Sequence, residues 1–386
     1  MKRISRLLMI AAFAVPAACS GGDGKGDDDD TPGDDDGSTD PFDQILEQRE
    51  YDYNAALRIA SLRLTGDLPT MAEINEIATP TDLTVKKSLY EARIQEYMSR
   101  PTFARQMFYF WRDTFKMGET PEMDTAPALA AQLSAENGSY MNLLTQSANN
   151  CPTFDENAGT FTPAECTGNG PKAGVLGNPA AMKQFFGNFA FRRVKWVEET
   201  FDCAKFPIEL GGAPVEIGAA SPYTGDWPFD SIAGTETGGR VNFKDVSAVI
   251  CANCHTTINH IAPLFAYYDQ DGVYQANISV PTPLDGAPLA ELSDYLPAGE
   301  VTSWRYQQPV ADIPALGAAM AADPDVAKCG VARIWNWALG KTDIVDTLQD
   351  VPIEVIQTQV DAFSANGFKL KDMIYAVYIS DDFTKF

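Results

Sequence analysis

Apolar side chains recur along most of this chain at the three- and four-residue spacing of an amphipathic helix. The clearest stretch is near the C-terminus, where Val331, Ile334, Trp335 and Ala338 fall at i, i+3, i+4 and i+7. Asp323-Pro324 opens that helix and Gly340 ends it. Ile353, Ile356, Val360 and Phe363 predict the next helix, stopped at Gly367. Leu370, Met373, Ile374, Val377 and Tyr378 predict the last, and Asp312 caps an earlier one running through Met320.

The first half repeats the pattern. Residues 42–64 are rich in helix formers, and Leu68-Pro69 closes that segment. Thr70-Met71-Ala72-Glu73 has the capping-box spacing of a new start. A helix over 83–99 stops at Pro101, after which Phe103, Met107, Phe110, Trp111 and Phe115 make one broad aromatic face, read as core. Residues 124–149 predict a helical pair interrupted at Asn137-Gly138, and 150–178 hold too many breakers for regular structure. Over 190–201, Ala190, Val194, Val197 and Phe201 share a helical face. Arg192, Arg193 and Lys195 sit elsewhere, as a solvated face or partners for nearby carboxylates; the alternative is contact with haem propionates or a partner. Residues 204–244 read as a long irregular connection, 245–258 as a short helix and 277–310 as loops with a short hairpin. Asp269-Gln270-Asp271-Gly272 reads as a turn, since it lacks the later Glu of a calcium loop. The expected fold class is mainly α.

The N-terminus decides the compartment. Lys2, Arg3 and Arg6 precede an apolar run from Leu7 to Val15 and then Pro16-Ala17-Ala18-Cys19, the pattern of an export leader over 1–19. The small residues before Cys19 fit lipid modification of that cysteine; an ordinary secreted protein is the alternative, and both place the chain outside the cytoplasm. Residues 20–43 follow as a Gly/Asp tether too poor in apolar side chains to fold. Its ten Asp and one Lys give −9; removing the three leader cations takes the formal charge from −24 to −27 and leaves −18 on the body. So acidic a body argues against nucleic acid as a partner and for basic proteins.

Within that body, Cys251-Ala252-Asn253-Cys254-His255 has the spacing at which a chain captures haem. Cys251 and Cys254 would add to the two vinyl groups and His255 would take an axial iron position, giving one covalent haem c. A redox Cys-x-x-Cys would be expected near a βαβ pattern, and a structural zinc site needs two further soft ligands; neither pattern is visible. The carbonyl before Pro263 is one candidate acceptor for His255 Nδ1. Met320 is the candidate sixth ligand, the alternative being ordinary core filling, because His260 follows His255 too closely to reach the opposite face of the ring. Of the spare cysteines, Cys151 and Cys166 bracket a local loop, which leaves Cys203 with Cys329 by elimination, one of three connectivities.

Three blocks carry a family resemblance. Leu62-Arg63-Leu64-Thr65-Gly66-Asp67-Leu68-Pro69-Thr70, the haem segment from Cys251 through Tyr268-Asp269, and Ala338-Leu339-Gly340 with Gly367-Phe368-Lys369-Leu370-Lys371-Asp372-Met373-Ile374 together resemble the planctomycete-type cytochrome-C-like domain families of unknown function. Asn259-His260 stands where those families carry Asp-Pro. The resemblance implies haem c binding in the cell envelope and electron transfer. The expected organisation is a helical N-terminal domain over 44–205, a cytochrome c-like haem segment over 206–310 and a C-terminal helical subdomain over 311–386. The expected function is that of a lipid-anchored, periplasmic or outer-membrane electron-transfer cytochrome serving an envelope redox partner, with an envelope binding or surface-assembly lipoprotein holding a structural haem as the alternative. A peroxidase-type enzyme would need an acid/base group, for which His260 is the only further imidazole.

Overall fold

The computed structural model describes residues 45, 47–205, 249–281, 288–305, 308–346 and 351–386, with the backbone alone at 188, 249–254 and 256. The expected leader, Cys19, the expected tether and residues 206–244 of the expected connection therefore lie outside the described residues. Within them the protein is mainly α.

Local sequence accounts for most helix starts. Helix α1 (Tyr53–Thr65) begins where Asp52 accepts hydrogen bonds from the Asn54 and Ala55 amides, and ends at Gly66 in the left-handed region. Residues 45, 47 and 48 are helical but 49–52 are not, so the helix expected over 42–64 is interrupted before α1. Glu50 instead exchanges backbone hydrogen bonds of 3.1 and 2.9 Å with Phe386, so the entry strand closes on the C-terminus. Helix α2 (Met71–Ala78) carries the Thr70/Glu73 capping box, and α3 (Leu83–Tyr97) is capped by Asp82. Helix α4 (Pro101–Phe115) has Pro at its first position, and its aromatic stripe is buried, as core. Helix α5 (Thr125–Ala135) packs along α4, and the second member of the expected pair is the single turn α6 (Asn142–Thr145).

A hairpin of β1 (Thr153–Asp155) and β2 (Thr160–Thr162) occupies the stretch expected to be irregular. It stacks Phe154 on Phe161 at 4.7 Å and lies within the Cys151–Cys166 bond. Helix α7 (Pro179–Gln184) then leads through a 3-10 turn (Asn188–Ala190) into α8 (Phe191–Phe201).

Helix α9 (Val249–Phe265) is longer than the expected 245–258 element and carries Pro263 within it. Pro263 has no N–H to give to the Asn259 carbonyl one turn back, yet the helix continues for two more residues. Asp269 Oδ1 accepts the amides of Asp271 and Val273, each at 2.9 Å, which makes the next segment a turn. Helix α10 (Leu292–Tyr295) and the hairpin of β3 (Ser303–Trp304) and β4 (Gln308–Pro309) follow. Helices α11 (Ile313–Ala321), α12 (Pro324–Ala338), α13 (Ile353–Ala365), α14 (Leu370–Tyr378) and α15 (Asp381–Thr384) complete the chain. Asp312 and Asp323 cap α11 and α12 with side-chain hydrogen bonds.

Helices from the two ends of the sequence share one core. Helix α12 packs on α1 and α8, α14 on α3 and α5, and α15 on α1. Residues 48–386 accordingly form one unit, in which the three segments expected from sequence are packed together. Cys203, just after α8, is bonded to Cys329 on α12, fastening those elements across 126 residues.

Candidate functional site

The backbone of residues 251–255 is helical, so positions 251, 254 and 255 share one face of α9. His255 Nδ1 lies 3.0 Å from Asn259 Oδ1, the residue one turn further along the same face. An amide oxygen only accepts, so this contact places the imidazole proton on Nδ1 and the lone pair on Nε2. Burial pushes the His255 imidazolium below its ordinary range, with the Asn259 hydrogen bond opposing it. A neutral ring with its lone pair on Nε2 is the form that ligates iron. The acceptor considered from sequence was the carbonyl before Pro263; the partner of Nδ1 is instead the Asn259 side chain at i+4.

Helix α8 and its entry turn brace α9. Phe189 and Ala190 both take left-handed backbone angles, with φ of 61° and 63°, and turn Phe191 edge-on to the His255 ring at 5.1 Å. Phe189 and Phe191 also meet Tyr295 of α10, at 4.6 and 6.2 Å, which completes an aromatic wall beside the imidazole.

Two buried polar residues of α8 meet α9 further along. Arg193 is fully buried, against the expectation of a solvated or carboxylate-paired residue; Arg192 alone of the basic trio is exposed. The Arg193 guanidinium donates to the Phe265, Tyr268 and Asp269 carbonyls at 2.8, 2.7 and 2.8 Å and to the Met182 carbonyl at 2.9 Å. It thus caps the C-terminal end of α9, where the helix dipole favours a cation. Burial lowers its pKa to about 10, so it stays charged at neutral pH. Glu198, also buried, is hydrogen-bonded to Thr257, and burial pushes its carboxyl up to about 8. Burial likewise raises Asp202, to about 6, with Arg305 opposing.

The remaining sequence candidates are spread over the fold. Met320 is fully buried on α11, which packs on α6, α12 and β3; α9 packs on α8, α10 and β3, so β3 is the element both touch. His260 lies about 140° round the helix from His255, buried, with Nε2 2.9 Å from Glu300 Oε2. Cys151–Cys166 and Cys203–Cys329 are bonded at S–S distances of 1.98 and 2.02 Å. The side chains of Cys251 and Cys254, like Cys19, lie outside what the structure describes. Asn259, Arg193 and Glu198 were not singled out as functional by sequence. Only Asn259 carried a usable signal, an acceptor at i+4 from His255.

No family model matches the chain, and no curated protein or solved structure matches it. The residues present fit a covalent haem in spacing, helical presentation and imidazole tautomer. Cys251 and Cys254 would hold it by thioethers and His255 by Nε2.

Proposed function

We propose that this protein is a lipid-anchored, monohaem c-type cytochrome of the cell envelope, carrying electrons to or from another protein. The observation that supports it best is the pairing of the Cys251/Cys254/His255 helical face with the Asn259 bond at His255 Nδ1. The bound haem would supply a one-electron iron couple. The chain's own part is to orient the imidazole through Asn259, screen it with Phe191 and brace α9 from α8. Electron carriage is favoured over peroxidase chemistry because His260 is turned away from His255 and engaged with Glu300. The sixth iron position is assigned within this reading to Met320, and the anchor to Cys19. The acidic body suits a basic redox partner.

The test is expression in a host that matures c-type cytochromes. Haem should remain on the denatured polypeptide through acid-acetone extraction and be lost in Cys251→Ala/Cys254→Ala. Reduction by a basic donor should slow as salt rises toward ~0.1 M, where screening acts within about 10 Å. Extractable haem, or none, overturns the assignment. Haem that no envelope donor reduces, in a protein whose haemless form still binds a cell surface, transfers the case to a structural haem.

A further inference from the structure

A second site lies on the far side of α8 from its buried contacts with α9. The C-terminal end of α4, the turn after α7, α8 and α12 enclose a cleft of about 270 Å³. We propose that this cleft binds a small aromatic carboxylate, with the ring laid on Phe185 and Trp196 and the carboxylate held by Arg192, Lys195 and Lys116.

The apolar part of the cleft is fixed in place. Phe185 and Trp196 stack at 5.2 Å with an interplanar angle of 15°, and the Trp196 indole N–H is donated to the Phe115 carbonyl at 3.2 Å. The Trp196 ring therefore cannot turn without breaking a buried hydrogen bond.

Charge on the inner wall is internally matched. Arg333 is buried and donates to Asp343 and, at 2.8 Å, to the Glu199 carbonyl. Its Nε is buried with no hydrogen-bond partner, a donor that an added molecule or ordered water would satisfy.

The remaining cations are poorly matched. Lys195 Nζ is 3.7 Å from Glu199, and Lys116 Nζ is 3.7 Å from Asp346, both beyond hydrogen-bonding distance. Arg192 donates to the Phe186 carbonyl at 3.3 Å. Burial raises the Glu199 carboxyl above its ordinary range, with Lys195 opposing. Three cations with donors to spare around one opening, in a chain of formal charge −24, favour an anion. The stacked aromatic floor selects a flat apolar body, and the volume, just below the usual range for ligand pockets, admits one ring system.

The probe is 4-fluorobenzoate, followed by fluorine NMR line broadening on the full-length purified protein, so that the readout is independent of haem. 4-Fluorobenzamide supplies the same ring without charge, and acetate the charge without a ring. The benzoate should bind, and both controls should bind at least about tenfold more weakly: the benzamide loses a charge-assisted hydrogen bond worth about 1.5–3 kcal/mol, and acetate loses the burial of the ring. Arg192→Ala/Lys195→Ala should weaken the benzoate by about tenfold or more with the melting temperature unchanged; should that pair fail to fold, Lys195→Gln is read instead. No benzoate binding, equal binding of the benzamide, equal competition by acetate, or undiminished binding by the variants overturns the proposal.

Discussion

Glu198 offers the sharpest quantitative test of the fold. Its carboxyl lies in the interface between α8 and α9, hydrogen-bonded to Thr257, and burial raises it from the usual 4.5 to about 8. An acid raised in this way binds its proton more tightly in the folded state than in the unfolded one. Its stabilising contribution is therefore complete below pH 4.5 and is lost progressively as pH rises toward 8. At about 1.4 kcal/mol per pH unit, that gap sets a ceiling of about 5 kcal/mol on the loss, less any relaxation of the fold. Glu198→Gln keeps an acceptor for Thr257 and removes the titration. Between pH 5 and pH 9 the wild type should lose up to about 4 kcal/mol more stability than the variant. Asp202, raised to about 6, acts in the same direction below that pH and is present in both proteins, so the difference reports Glu198 together with its coupling to Asp202. The assay is urea unfolding followed by tryptophan fluorescence at several pH values. Parallel wild-type and variant curves across that range would refute a buried, protonated Glu198.

Arg193→Met should cost about 3 kcal/mol or more, because it strips the charged donor from three buried carbonyls and a part-buried one; thermal melts give the cost, and hydrogen exchange should speed at residues 265–269. Cys203→Ser/Cys329→Ser should lower stability by about 3–5 kcal/mol in denaturant, given the long loop that the bond closes; an unchanged midpoint would count against the bond. Asn259→Asp, which restores a carboxylate to His255 Nδ1, should lower the reduction potential of the holoprotein, while Asn259→Leu should raise it, as read by potentiometric titration.

Which features were legible in the sequence follows from how local their causes are. Asp312, Asp323-Pro324 and the Thr70/Glu73 box act within one helical turn, and each caps the helix it announces. The β1–β2 hairpin was hidden because each strand is three residues long, too short for alternation to emerge among the surrounding Gly, Pro and Asn. The interruption at 49–52 was missed because 42–52 has helix-forming composition, whereas pairing of Glu50 with Phe386 is a contact between chain ends. Arg193 looked solvated for the same kind of reason: nothing within 190–201 announces four carbonyls supplied by residues 182, 265, 268 and 269. The Cys251-to-His255 spacing, by contrast, lies within five consecutive residues, and the Asn259 contact to His255 sits one turn beyond them.

These buried polar contacts also explain how α9 keeps its shape. Pro263 removes a backbone hydrogen bond from the last turn, and in an isolated helix that would fray the end carrying Phe265. Arg193 gathers the Phe265, Tyr268 and Asp269 carbonyls, so the charge on α8 holds the helix end that the proline weakens. Glu198 touches the middle of α9 through Thr257, two residues from His255, and Phe191 touches the imidazole itself. All three contacts come from one helix, and Cys203–Cys329 ties the end of that helix to α12. The position of His255 relative to the core is thus set largely by α8, with α10 and β3 also packed on α9. A haem bound there would meet an imidazole already oriented, which lowers the reorganisation needed on each change of iron charge.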